Sequence, residues 1–369
     1  MDKASRTKVS RRTVLKGAAA AAATASVFNI NHSWSKDVAW DGKPFDAGGA
    51  TLRIAEWGGF WESAVRKYLL ATFEKDYNCK ISWDSSFPWF PKFAASGPKN
   101  PFCDIANWNL KDLYQTARAG DYFMPLDEVL PNIPASVYLW DFAKVTGLGI
   151  TWAYGRYVFG YRTDLIDAPI KKFEDFWRPS LAGKRGTYVT VNELQMTLFL
   201  TSCAVFGKDQ YDLKAGYAAM KRLVPVKTSD FTGNMTALLE RGEVIACNQW
   251  DGEMWLEQDK GQKIGVYTWE EKKPLLTQSR TISKYAEPMQ KKLAYAFMNT
   301  TLDPKVFGQF ADLFYLRPTC KNIPVTPKMA TKGITNTADS IKGFWIPDYQ
   351  KYLDHADEVE ETVNAIFAS

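Results

Sequence analysis

Histidine is almost absent: the 369 residues contain only His32 and His355. A Ser-His-Asp triad or an imidazole-based zinc site needs a histidine inside the folded body. Neither position offers one, since His32 lies in a polar N-terminal linker and His355 on a polar C-terminal helix. No GxSxG, CxxCH or HExxH sequence occurs, so the patterns of a nucleophile elbow, a haem attachment site and a zincin helix are missing. Glycine-rich phosphate loops are missing too, because Gly58-Gly59 alone is too short to cradle a phosphate. The five cysteines, Cys79, Cys103, Cys203, Cys247 and Cys320, are widely spaced and form no CxxC. An odd count without a framework points to buried free thiols, with one bridging pair left open. Apart from one short Ala-rich stretch, no apolar run approaches membrane-spanning length. Carboxylates are plentiful throughout, so an exported hydrolase using a carboxylate pair stays open as an alternative.

That Ala-rich stretch, Gly17 to Val27, follows Ser10-Arg11-Arg12-Thr13-Val14-Leu15-Lys16. A basic segment, a short apolar core and small residues around Ala23-Thr24-Ala25 make a signal peptide. The paired arginines match a twin-arginine export signal, a receptor-read address rather than an anchor. No cysteine near the cleavage region suggests lipidation. Residues 1–27 are therefore expected to be removed and 28–49, with Pro44 and Gly48-Gly49, to be a linker. The periplasm or the cell exterior is the destination, and the twin-arginine translocase a partner during export. Residues 1–25 carry six cationic side chains against Asp2, which accounts for the whole formal charge of +5. The mature protein is near neutral, so the basicity says nothing for nucleic acid.

About 340 mature residues exceed what one core usually serves, and two α/β lobes are expected. Aromatics make up 14% of the chain, enough for a large aromatic core or a cleft that grips a ligand by stacking. The stretch Leu148 to Leu165 organises the rest: β-branched and aromatic residues punctuated by Gly155 and Gly160 predict a buried strand. Trp152 and Tyr154, two apart, would share a face, and a lobe-crossing strand would offer them to an interlobe cleft. Thr51–Trp57 and Cys79–Asp84 predict strands flanking a helix over Trp61–Tyr77, a βαβ unit that places Trp57, Gly58 and Gly59 at a strand's carboxyl end. Cys103–Trp108 predicts a third strand, followed by a helix over Leu110–Ala119. Asn192 caps a helix beginning at Glu193, and the strand Val244–Gln249 delivers Trp250 and Asp251 to its tip. A second crossing is expected at Gln278–Tyr285, and an amphipathic, helical C-terminal third follows.

Several segments resemble one family. "FEDFWRPSLAGKRG" (Phe173–Gly186) is similar to the W-x-DLW-x-P signature of periplasmic solute-binding proteins of the spermidine/putrescine type, which serve ABC importers. "LLERGEVIACNQWDGE", "ITWAYGRYVFGYRTDLI", "LFYLRPTCKN" and "FWIPDYQKY" resemble further segments of that family in its own order, from about residue 51 to the C-terminus. The resemblance implies an α/β, two-lobed periplasmic-binding-protein fold of type II whose hinged lobes close on a ligand. It implies lobe 1 at 50–152 plus 280–316 and lobe 2 at 153–279 plus 317–369. It also implies a monomer without enzymatic activity, cofactor or metal, delivering its ligand to the transmembrane subunits of a permease.

Where polyamine chemistry requires carboxylates, this chain departs from the family pattern. The family's acids fall at Gly59, near Val189, at Asn192 and at Gln278, and a neighbouring Trp falls at Leu276. Trp57, Trp152 and Trp250 keep the aromatic frame. A buried ammonium must be paired, so the expected ligand is a small polar organic solute that is neutral, zwitterionic or anionic. The candidate contacts are Trp57, Gly58, Asn109, Trp152, Tyr154, Asn192, Glu193, Trp250, Asp251, Gln278 and Arg280, with Arg280 or Arg317 meeting a carboxylate. A polyamine or another organic amine is the alternative, the latter in an aromatic cage with Glu193 or Asp251 as its anion. An exported sensory binding protein would use the same lobes. Ferric iron in related proteins takes neighbouring tyrosines, which this chain lacks in its C-terminal lobe.

Overall fold

The computed structural model describes residues 39–144 and 147–369. The export signal and the first part of the expected linker lie outside the described residues. Among the described residues no helix is long and apolar enough to cross a membrane.

Three parallel strands, β1 (Thr51–Ala55), β2 (Lys80–Asp84) and β3 (Ile105–Trp108), lie in the order β2-β1-β3. A second parallel set, β5 (Arg185–Tyr188), β6 (Lys227–Ser229) and β7 (Ala246–Trp250), lies in the order β7-β5-β6. One long strand joins the two sets: β4, Ile150–Arg162, with 13 residues. Its first half, Ile150 to Arg156, pairs antiparallel with β9 (Lys273–Ile282), and β9 pairs antiparallel with β3. Its second half, Tyr157 to Tyr161, pairs antiparallel with β7. β8 (Ile264–Thr268) takes the other edge of that half, and β10 (Arg317–Pro318) pairs with Tyr154 and Ala153.

These directions decide where a site can form. β3 and β4 are both antiparallel to β9, so β1, β2 and β3 run the same way as β4. β7 runs against β4 and carries β5 and β6 with it. The carboxyl ends of the two parallel sets therefore point toward each other along the β4–β9 ribbon, at the place where α/β sheets bind ligands. β3 ends where Trp108 meets Ser279, which pairs with Thr151, while β7 ends where Trp250 meets Tyr157. The ribbon between these levels spans roughly 20 Å at the usual rise of a strand.

Helices cover both faces. The longest are α1 (Leu110–Ala119), α2 (Glu193–Phe206), α3 (Pro288–Thr301), α4 (Pro304–Phe314) and α5 (Ala356–Phe367). Several elements differ from the sequence expectation: residues 317–348, within the third expected to be helical, hold only the short helix Pro327–Ala330, and the short strand β6 was not expected. The second crossing begins at Lys273 rather than Gln278, because Leu275 and Leu276 are buried in the ribbon. The helix expected over 61–77 is interrupted: Phe60–Ala64 passes into a π-turn at Val65–Leu69, and helix resumes only at Phe73. The wider turn brings the consecutive Leu69 and Leu70 inward together, beside Val65 and Phe73. All five cysteines are buried free thiols.

Candidate ligand cleft

The crossing ribbon is held by a chain of side-chain hydrogen bonds. Gln278 Oε1 accepts from Trp57 Nε1 and from Asn107 Nδ2, each at 2.7 Å. Asn107 Oδ1 in turn accepts from Trp152 Nε1 at 2.9 Å. Trp57 is half-buried at the end of β1, its ring against Phe87 and Trp89. Trp152 is only 1% exposed. It packs on Trp61, Phe307 and Phe310.

Two ion pairs lie under the same ribbon. Arg280, expected to meet a ligand carboxylate, instead holds Glu56 at 2.8 Å and stacks its guanidinium on Trp152 and Phe297. Burial pushes the Glu56 carboxyl upward against the opposing pull of Arg280. Glu56 Oε1 also accepts from Trp61 Nε1 at 3.1 Å and from the backbone N–H of Trp57 at 3.3 Å. Asp251 pairs with Arg317 at 2.6 Å and accepts from the Arg156 backbone N–H at 2.9 Å. Tyr154 is fully buried against Phe142 and Phe344, and burial raises its hydroxyl to about 12. Tyr154, Asp251 and Arg280 are thus built into the ribbon, not displayed on it.

Trp250 caps the tip of β7, with its ring laid over Gly155 of β4. A Cβ at Gly155 would sit 3.1 Å from Trp250 Cε3 and 3.2 Å from Asp251 Oδ1. The glycine seen in the sequence as a place of close approach is what lets this ring come so near the crossing strand. Gly58 is half-buried beside Ser85 at the end of β2. Asn192 caps α2, accepting from the Leu194 N–H at 2.8 Å, and donates to the Asp230 carbonyl at 3.0 Å.

Glu193 at the start of α2 faces the first turn of α1, which Asn109 precedes. Asn109 precedes α1 without capping it, and its buried Oδ1 meets no partner. Glu193, at the start of α2, accepts from Tyr157 OH at 2.9 Å through Oε1, while its buried Oε2 meets no partner. Burial, reinforced by the charge of Asp112 on α1, pushes Glu193 up to about 8 against the hydrogen bond from Tyr157 and the influence of Lys111. Glu193 is therefore mostly neutral at pH 7, which weakens it as an anion for a ligand amine.

Residues absent from the sequence reading frame the opening. Phe60 is 63% exposed, Phe87 43%, Val191 63% and Phe231 65%, four of the eight large apolar side chains that are exposed among the described residues. They follow the carboxyl ends of β1, β2, β5 and β6 respectively, so each side of the cleft carries an apolar rim. Phe60 and Phe87 had a signal in position, each following a predicted strand within a few residues, where an aromatic has no core to enter; Val191 and Phe231 had none. An open groove of about 420 Å³, lined by Val189, Thr228, Ser229, Asp230, Asn234 and Arg241 among others, follows the ends of β5 and β6. Among the described residues no group of acidic, histidine or cysteine side chains is placed to hold a metal ion.

The chain matches no protein-family model and no curated protein. Solved structures do match it. An ABC transporter structure from Clostridium perfringens superposes with a TM-score of 0.70 at 20% identity, covering 86% of this chain and 99% of that one. The spermidine/putrescine ABC transporter substrate-binding protein PotD from Streptococcus pneumoniae gives 0.65 at 18%, covering 86% and 100%. The ferric ion-binding protein A of Pasteurella haemolytica gives 0.66 at 14%, covering 86% and 98%. Proteins named for a polyamine and for a metal ion match about equally well, so the likeness does not set the ligand. What these matches establish is the architecture: the chain has the α/β, two-lobed periplasmic-binding-protein fold.

Proposed function

We propose that this protein is the exported substrate-binding component of an ABC importer, capturing a small polar organic solute between its lobes and presenting it to a membrane permease. The observation that carries this reading is the pair of opposed strand-end sets, bridged by β4 and β9 and rimmed by exposed apolar side chains on both sides. Such a cleft binds by closure, and a ligand shifts the lobes only by its differential affinity for the closed state. Export by the twin-arginine route, action as a monomer and absence of catalysis complete the proposal. Its lobes are 50–152 plus 280–316 and 153–279 plus 317–369.

Within the cleft, Trp57, Gly58, Asn109, Asn192, Glu193, Trp250 and Gln278 are proposed to meet the ligand. Trp152, Tyr154, Asp251 and Arg280 support them from beneath. The pairing of Glu56 with Arg280 and of Asp251 with Arg317, and the upward shift of Glu193, speak against a di- or polycation. The test is a thermal-shift screen of residues 28–369 against organic acids, amino acids, amides and polyamines, followed by calorimetry. A binder of the folded state raises the melting temperature by mass action. A neutral, zwitterionic or anionic ligand with micromolar or tighter affinity is expected, and tight spermidine or putrescine binding would overturn the choice of ligand class.

A further inference from the structure

The cleft contains an amide whose orientation is fixed by chemistry. An indole nitrogen can only donate a hydrogen bond. Trp152 Nε1 donates to Asn107, so the atom it meets at 2.9 Å is the amide oxygen, and the Asn107 nitrogen is left to donate. That nitrogen reaches Gln278 at 2.7 Å, and Trp57 Nε1 reaches the same Gln278 atom at 2.7 Å. Two donors on one atom make it the carbonyl oxygen. The assignment of both amides, ordinarily a choice made from the network, is here forced by the two tryptophans at its ends.

Gln278 Nε2 then has its two hydrogens on the side away from Trp57 and Asn107, and among the described residues no acceptor meets it. Its position gives those hydrogens a destination. Ser279 pairs with Trp108, the last residue of β3, so Gln278 is the first residue of β9 beyond the end of that neighbour. It lies at the edge of the cleft, beside the half-buried Trp57, and keeps 6% of its surface open.

We infer that the Gln278 amide group is a specificity contact that selects a hydrogen-bond acceptor, so the end of the ligand lying against β9 is a carboxylate or a carbonyl and not an ammonium. This rests on the reading of the cleft as a solute site and names the chemistry of one end of its ligand. The same network makes the choice reversible. A glutamate at 278 still offers an oxygen to Trp57 and Asn107, and exchanges the two free hydrogens for a bare carboxylate oxygen.

Glutarate, 5-aminopentanoate and 1,5-diaminopentane share one chain length and differ only in their ends. Thermal shifts of the wild type and of Gln278→Glu with each compound test the inference. The wild type is expected to be stabilised by the two carboxylate-bearing compounds and not by the diamine, and Gln278→Glu to reverse that order. A diamine that stabilises the wild type most, or an order unchanged in Gln278→Glu, would overturn it. The amide itself is read without ligand by ¹⁵N NMR, its signals identified by their loss in Gln278→Glu. Rapid solvent exchange of the Gln278 NH2 beside slowly exchanging Trp57 and Trp152 indole N–H signals is expected. A protected Gln278 NH2 would overturn the inference whatever the ligands do. Silence of the wild type with all three compounds, beside a freely exchanging amide, would instead count against the solute-cleft reading.

Discussion

Arg317 Nη1 lies 2.6 Å from the carboxylate of Asp251, so the tip of β7 is tied to the short strand β10 through a pair in which Asp251 has no exposed surface and Arg317 little. β10 itself pairs with β4 at Tyr154. The pair therefore pins two strands that reach the ribbon from different parts of the chain.

Breaking this pair should destabilise the protein strongly. Arg317→Met leaves Asp251 buried and unpaired, and a loss of about 3–5 kcal/mol is expected. Asp251→Asn keeps the Oδ1 that accepts from Arg156, and adding it to Arg317→Met should recover much of the loss. Urea unfolding of the two single variants and the double variant gives the coupling, and strict additivity would show that the pair contributes nothing.

Glu193 should make stability depend on pH. A carboxyl raised from 4.5 to about 8 by burial and Asp112 holds an extra proton in the folded state between those values. Stability therefore falls as pH rises through that interval, because the unfolded state binds fewer protons there. Asp112 beside it is also raised by burial, whereas burial pushes the hydroxyls of Tyr157 and Tyr349 well above the ordinary tyrosine value, so both stay protonated throughout this interval. Glu193→Gln retains an oxygen for Tyr157 OH and should flatten the profile, gaining on the order of a few kcal/mol at pH 8. Urea midpoints at pH 5 and pH 8 for both proteins check this, and parallel profiles would refute it.

Stacking can be tested one ring at a time. Trp57→Ala and Trp250→Ala should each weaken ligand binding by about 1–3 kcal/mol, as aromatic stacking does elsewhere. Trp152→Ala should chiefly lower the melting temperature, by the loss of about 3–5 kcal/mol expected of an emptied core site. Calorimetry beside thermal unfolding separates these effects. Unchanged affinity in Trp57→Ala and Trp250→Ala would remove both rings from the site.

Gly155→Ala tests the close approach of Trp250. Its methyl group would press on Trp250 Cε3 and Asp251 Oδ1, and a loss of about 1–3 kcal/mol is expected from such overpacking. Near-ultraviolet circular dichroism should change in the tryptophan region. A wild-type spectrum and melting temperature would mean that the ring has room to move.

The lobe-crossing strand was legible because thirteen residues dominated by aromatic and aliphatic side chains, with Arg156 the one charge inside and two glycines, fit little else than a strand buried on both faces. The helix caps at Asn192 and the tip at Trp250 followed from local rules in the same way. Burial partners were not legible. Nothing near Arg280 in the sequence announces Glu56, 224 residues away, and nothing near Trp152 announces that α4 will cover it. Charged and aromatic residues at strand ends look alike whether they face solvent, ligand or a partner from another element. That difference separates Gln278, whose amide oxygen is held by Trp57 and Asn107 while its NH2 is left over, from Arg280 two residues later, which Glu56 holds.

The order of strands has a consequence for synthesis and folding. β9 sits between β3 and β4, yet it is made after β5, β6, β7 and β8. Until residues 273–282 have emerged, the first sheet has a gap where its central strand belongs, and β3 and β4 have no hydrogen-bond partner across it. The first half cannot finish without it, and a fragment ending short of Lys273 should expose an open sheet edge to other chains. Removing the C-terminal third would thus undo the N-terminal sheet as well, so the two lobes should unfold in one transition.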